Sequence, residues 1–208
     1  MNFKERLPFG SLVFFEEPMF FLKDKLIFIH INQNYLKYLH DNCSEVYYKP
    51  IGYGNKPYLG ILINQEKNQY IIPLSSAKEK HKTWKNIDTD RFLIYENCSK
   101  NNLSASAIYT DNTDGSVKHI LSIIDLKKML PIKDGLYSKV DLTLKANDSQ
   151  ALRNYKNLMN KEYSFCLKII SLIIQKANKL YEKQMKTGKI GKFCCDFKLL
   201  EQKCSEYK

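Results

Sequence analysis

"KPYLGILINQEKNQYIIPLSSAKEKH", Lys56 to His81, decides the fold reading. It contains two apolar runs rich in Ile, Leu and Tyr, "KPYLGILI" from Lys56 and "QYIIPL" from Gln69. The polar pentapeptide "NQEKN" separates them, so the stretch predicts two antiparallel strands joined by a hairpin loop. The second run closes on two adjacent hydroxyls, Ser75 and Ser76, and then on cations, a histidine and the single tryptophan, Trp84.

Working outward, "KLIFIHI" (Lys25–Ile31) reads as a strand, and Asn32 as the N-cap of a helix that places Tyr35, Leu36 and Leu39 on one face. "RFLIY" from Arg91 predicts another strand. "SASAIYTDNTDGSVKHILSII" predicts a second hairpin turning at Asp111–Gly115, and "KVDLTL" from Lys139 a further strand. Ser149 to Lys186 has no Gly or Pro. Leu152, Tyr155, Met159, Tyr163, Leu167, Ile170, Ile174, Ala177 and Tyr181 recur there every three or four residues, as in an amphipathic helix or helical pair closed by Gly188. "KFCCDF" predicts a short last strand and "KLLEQKC" a last helical turn or two. The fold class is α+β: a compact antiparallel, barrel-like sheet with packed helices, including a long C-terminal helical region. The predicted organisation is an N-terminal extension, residues 1–24, and one domain, residues 25–208. Glu16, Glu17 and Pro18 break the apolar leader, so it does not read as a signal peptide.

Lys and Arg number 33 against 22 Asp and Glu, a formal charge of +11, which points to a polyanionic partner. No apolar run reaches the ~18 residues of a membrane span. The six cysteines form no C-x-x-C pair and no zinc-finger spacing, which fits reduced thiols in the cytoplasm. No metal or cofactor is expected. A phosphate-binding glycine loop, a G-x-S-x-G elbow and H-E-x-x-H are all missing from the sequence.

Metal-free RNA cleavage fits what remains. There the ribose 2′-hydroxyl attacks the neighbouring phosphate, and the protein aligns the attack, moves protons and stabilises the added negative charge. Ser75 and Ser76 could donate to phosphate, lysines could hold its charge, and a helix beginning near residue 76 would add amides. The plainer alternative is that Ser76 caps this helix, with Glu79 completing a capping box and Trp84 anchoring a core.

Lys56, Tyr58, Gly60, Pro73, Leu74, Ser75, Ser76, Lys78 and His81 together resemble the motif region of the ToxN/AbiQ endoribonucleases, toxins of type III toxin–antitoxin systems. "SIIDLKKMLPI" (Ser122–Ile132) and "GKIGKFCCDFKLLEQK" are also similar to that family, whereas the leader has no counterpart in it. The resemblance implies a Kid/MazF-like barrel and metal-independent cleavage leaving a 2′,3′-cyclic phosphate. It also implies inhibition by a repeated pseudoknot RNA and a role in abortive phage infection. It implies catalytic roles for Lys56, Ser75, Ser76 and Lys78, and a looser one for His81. For contacts with mRNA or phage transcripts, flat and cationic side chains suggest Tyr53, Tyr58, Lys80, Lys82, Trp84 and Lys85, with Lys186, Lys189 and Lys192 near flexible glycines. Tyr47 and Tyr48 are further stacking candidates. Two rivals stay open: a non-catalytic RNA-binding barrel and a DNA-directed regulator.

Overall fold

The computed structural model describes residues 20–22, 25–49, 57–64 and 68–208. Nine strands and three helices follow in chain order: β1 (Phe20–Leu22), β2 (Phe28–Ile31), α1 (Gln33–Asn42), β3 (Tyr58–Asn64), β4 (Gln69–Ser76), β5 (Arg91–Cys98), β6 (Ile108–Asp111), β7 (Val117–Asp125), β8 (Leu130–Ile132), β9 (Tyr137–Lys139), α2 (Gln150–Thr187) and α3 (Phe197–Glu206).

All strand pairs are antiparallel, and the main path runs β5-β7-β4-β3-β2-β9. The two ends of that path do not pair, so among the described residues the sheet is open rather than closed into the expected barrel. The expected hairpin is β3 with β4, starting at Tyr58↔Pro73. Its regularity breaks between Leu59 and Leu62, where Gly60 adopts φ 56° and donates its N–H to Ile27 O at 2.7 Å. That left-handed conformation suits glycine, and a Cβ there would stand 3.1 Å from Leu26 Cδ1. The bulge lets β3 pair with β2 at Tyr58–Leu59 and with β1 at Leu62–Asn64. β1 lies within the stretch read as an extension, so the sheet begins before residue 25. Phe20 is fully buried, edge-on to Tyr70 and Tyr181, and its backbone is held by the Asn178 amide of α2.

The main core lies between this sheet and the helices. Asn32 caps α1 through the amides of Asn34 and Tyr35, and Tyr35, Leu36 and Leu39 are buried. α2 is one unbroken helix of 38 residues, capped by Ser149 and ended by Gly188 at φ 64°. Its buried stripe is Met159, Cys166, Ile173, Ala177 and Tyr181, whereas Leu152 and Leu167 are 42% and 47% exposed. Steps of four residues overshoot the turn by about 40° each, so Tyr155-Met159-Tyr163-Leu167 winds off the buried face. Cys166 takes the place of Leu167.

Two predicted strands do not form as drawn. Most of "KVDLTL" is irregular, pinned by Lys156 Nζ on Thr143 O (2.7 Å) and Asp148, and by Asn160 on Leu142 O (3.0 Å). "KFCCDF" is a turn in which the Cys195 amide bonds Lys127 O at 2.9 Å, and Asp196 then caps α3. Gln184 of α2 reaches both the Cys195 carbonyl and the Phe197 amide, so this turn is satisfied by helix side chains rather than by a strand edge. Glu201 of α3 accepts from Tyr70 and Tyr181, each at 2.8 Å, joining α3, β4 and α2. The six cysteines are free thiols.

Candidate active site

β4 ends at Ser76, and its register fixes what surrounds that end. Leu74 lies opposite Ile124, Ser75 opposite Ile123 and Ser76 opposite Ser122. Side chains alternate across a strand, so Ser75 shares a face with Pro73 and Tyr58, and Ser76 shares the other with Leu74 and Ser122. A cleft opens beside this strand end on each face.

On the Ser75 side the cleft holds about 170 Å³ and is lined by Gln33, Tyr47, Lys49, Tyr58, Pro73, Ser75, Ser76, Lys78 and Lys128, with Leu36, Leu74 and Leu130 as its apolar floor. Among the described residues its lining carries three ammonium groups and no carboxylate. Lys128 is held by Glu45, in the turn after α1, whose carboxylate and carbonyl lie 2.6 and 2.7 Å from Nζ. On the Ser76 side the second cleft holds about 480 Å³, between Ser75, Ser76, Leu121 and Ser122 of the sheet and Tyr155, Leu158, Met159 and Glu162 of α2. His30 and Pro57 complete it.

The segment after Ser76 differs from the predicted helix start. Ala77 is outside any helix, Lys78 is extended, and only the 3-10 turn Glu79–Thr83 follows, so neither a Ser76 capping box nor a helical anion site forms. His81 organises this turn. Its Nδ1 accepts the Lys78 amide at 2.9 Å, while its own amide donates to Lys78 O at 2.8 Å. With Nδ1 accepting, the ring proton sits on Nε2. The ring is 4% exposed, and burial first, then Lys80, Lys78 and Arg91, pull its pKa down to about 4. It packs 4.4 Å from Trp84, whose face is covered by the Arg91 guanidinium at 4.0 Å. Trp84 also rests on a small second core of Leu93, Ile120 and Ile123.

The predicted residues therefore separate into groups. Ser75, Ser76, Lys78 and Tyr58 meet at the first cleft. Lys56 and Tyr53 lie outside the described residues, although Pro57, next to Lys56, lines the second cleft. His81 lies behind the Lys78 backbone rather than in a cleft lining. Lys80 leans on Trp84, and Lys82 pairs with Glu79 and overlies Tyr109. Lys80 and Lys85 are exposed beside that turn. Lys186, Lys189 and Lys192 stand near the other end of α2, with Lys186 on the order of 45 Å along the axis from Tyr155. Lys49, Lys128, Gln33, Ser122, Tyr155 and Glu162 were not among the expected site residues; only cross-strand register and helix packing bring them in. A separate group, Glu96, Cys98 and His119, brings donor atoms within 4.8 Å of one another, but Glu96 is already paired with Lys161 (2.8 Å) and His119 (3.2 Å), and none of the three lines either cleft.

An open antiparallel sheet with paired hydroxyls at a strand end and ammonium groups around them has the chemistry that suits an anionic, phosphate-bearing ligand. The chain belongs to the ToxN toxin family of type III toxin–antitoxin systems, matched over residues 27–205. It is 28% identical to Endoribonuclease ToxN of Bacillus thuringiensis subsp. kurstaki over 89% of this chain and 86% of that protein. Among solved structures, one described as a bacterial antiviral system regulated by a processed non-coding RNA superposes with a TM-score of 0.64 at 25% identity, over 87% of this chain and 98% of that one. The structure of AbiQ, a lactococcal anti-phage endoribonuclease of a type III system, gives 0.62 at 26%, over 88% and 98%. Among the described residues no helix is long and apolar enough to cross a membrane.

Proposed function

We propose that this toxin is a metal-independent endoribonuclease that cuts single-stranded RNA across the end of β4. The 2′-hydroxyl of the nucleotide before the break attacks its own 3′-phosphate. The P–O bond to the following 5′-oxygen breaks, leaving a 2′,3′-cyclic phosphate and a 5′-hydroxyl. Ser76 is the first residue assigned to the scissile phosphate or the 2′-oxygen, with Ser75 beside it. Lys78, Lys49, Lys128 and Lys56 hold the phosphate charge, which grows in the transition state. His81 stays neutral and positions Lys78 through its amide.

The observation that carries this reading is the pair of hydroxyls at the meeting point of two clefts, one of them lined, among the described residues, by three ammonium groups and no carboxylate. Such a lining suits phosphate directly and offers a divalent metal few ligands. A non-catalytic RNA binder would use the same cations but would not depend on the Ser76 hydroxyl. The inhibitor, in this reading, is a cognate repeat RNA folded as a pseudoknot, and release from it makes the toxin abort phage infection in the cytoplasm. Lys186, Lys189 and Lys192 suit a second stretch of such an RNA.

Expression with and without the repeat RNA, beside Ser76→Ala and Lys56→Ala, tests this. The unrestrained wild type is expected to arrest growth and to cut RNA in EDTA, with cyclic-phosphate ends, and both variants to be tolerated. Undiminished cutting by Ser76→Ala, or loss of cutting in EDTA, would refute the mechanism.

A further inference from the structure

The geometry points to the cleft between β7 and α2 as a specificity pocket that takes one nucleobase bearing an exocyclic amino group, beside the phosphate held at Ser76. This inference rests on the nuclease reading and adds a recognition site to it.

Three features build the pocket. First, its volume of about 480 Å³ lies within the ~300–1,000 Å³ typical of small-molecule sites. Its walls include Leu74, Leu121, Leu158 and Met159, apolar surfaces that suit the two faces of a base. Secondly, buried polar atoms in it want partners. Ser122 is 3% exposed, and neither its Oγ nor the Tyr155 hydroxyl has a hydrogen-bond partner among the described residues. An unsatisfied buried hydroxyl costs ~1–3 kcal/mol, which a hydrogen-bonding ligand would recover. Burial, followed by the charge of Glu162, raises the Tyr155 pKa and keeps that hydroxyl a donor. Thirdly, Glu162 lines the pocket at 4% exposure. Glu162 already takes part in another interaction within the fold, and a carboxylate, with about four lone-pair sites, can accept from a ligand as well but cannot donate. Adenine, cytosine and guanine each offer an amino group to it. Uracil offers one N–H between two carbonyl oxygens, which a carboxylate repels. Ser122 lies directly across from Ser76, so the base in this pocket belongs to a nucleotide flanking the scissile phosphate.

The test maps cleavage sites in total RNA for wild type, Glu162→Gln, Tyr155→Phe and Ser122→Ala. Wild type should disfavour uracil at one flanking position about tenfold or more, within the 5- to 150-fold that a good base contact confers. Glu162→Gln, whose amide can also donate to a uracil carbonyl, should still cut but with that bias reduced to about threefold or less. Tyr155→Phe and Ser122→Ala should weaken it in the same direction. Equal use of all four bases on both sides of the break, or a bias unchanged in Glu162→Gln, overturns the pocket while leaving the nuclease intact. Titration of Ser76→Ala with AMP, GMP, CMP and UMP, followed by the NMR signals of Tyr155, decides the pocket apart from cleavage. UMP should bind weakest, and Glu162→Gln should erase the difference. Four equal affinities, or none at millimolar nucleotide, overturn it even where RNA is cut.

Discussion

Acidification should loosen the turn that carries Lys78. His81 titrates near 6.5 in an unfolded chain and at about 4 in the fold. A depressed histidine pKa means that the unfolded state takes up the proton first. Its contribution to stability is therefore complete above pH ~6.5 and is lost as pH falls toward 4. That depression corresponds to about 3 kcal/mol in full, of which about 2 kcal/mol is lost between pH 7 and pH 5. His81→Asn retains an acceptor near the Nδ1 position but does not titrate. Its smaller side chain should lower stability by a constant amount at every pH. Urea unfolding at pH 5, 6 and 7 should thus show the wild type losing about 2 kcal/mol more than His81→Asn over that range. Identical slopes, or a His81 NMR titration centred at 6.5 or above, would refute the reasoning. The second result would also return His81 to the candidates for proton transfer.

Four further outcomes are expected. Ser76→Ala, at an exposed strand end, should leave unfolding free energy within about 0.5 kcal/mol of wild type while cleavage falls by 100-fold or more, measured on a single-site RNA. Lys128→Met should lower cleavage at least tenfold and shift stability by under ~1 kcal/mol, since its partner Glu45 is partly exposed. With Lys49, Lys56, Lys78 and Lys128 each making one phosphate contact, log affinity for single-stranded RNA should fall against log salt with a slope of about −3, at ~0.7 per contact. Phe20→Ala should cost about 3–5 kcal/mol in denaturant unfolding, a loss reserved for a residue inside the main core.

Much of the fold was legible because it is local. The Asn32 cap, the limits of α2 at Ser149 and Gly188, and the β3–β4 pairing follow from residue types within a few positions of each other. Closure of the sheet was not, because it depends on whether β5 meets β9, two strands that no local signal relates. The leader concealed β1 for the same reason: Phe20 pairs with Asn64 of β3 and is held by Asn178 of α2, 158 residues away. At the site, Ser75, Ser76 and Lys78 lie in one stretch and could be read together. Ser122 and Glu162 arrive through the β4–β7 register and the docking of α2, and Lys128 by way of its pairing with Glu45. Trp84 looks from sequence like a free stacking platform. In the fold a guanidinium already covers it, because Arg91 begins the strand next to it.

The alternation along β4 makes the number of residues matter as much as their identity. Inserting or deleting one residue between Gln69 and Ser76 would transpose the two hydroxyls, sending each to the chamber meant for the other and turning Leu74 out of the core. One residue gained or lost there would misplace both hydroxyls at once, even with every residue type along the strand retained.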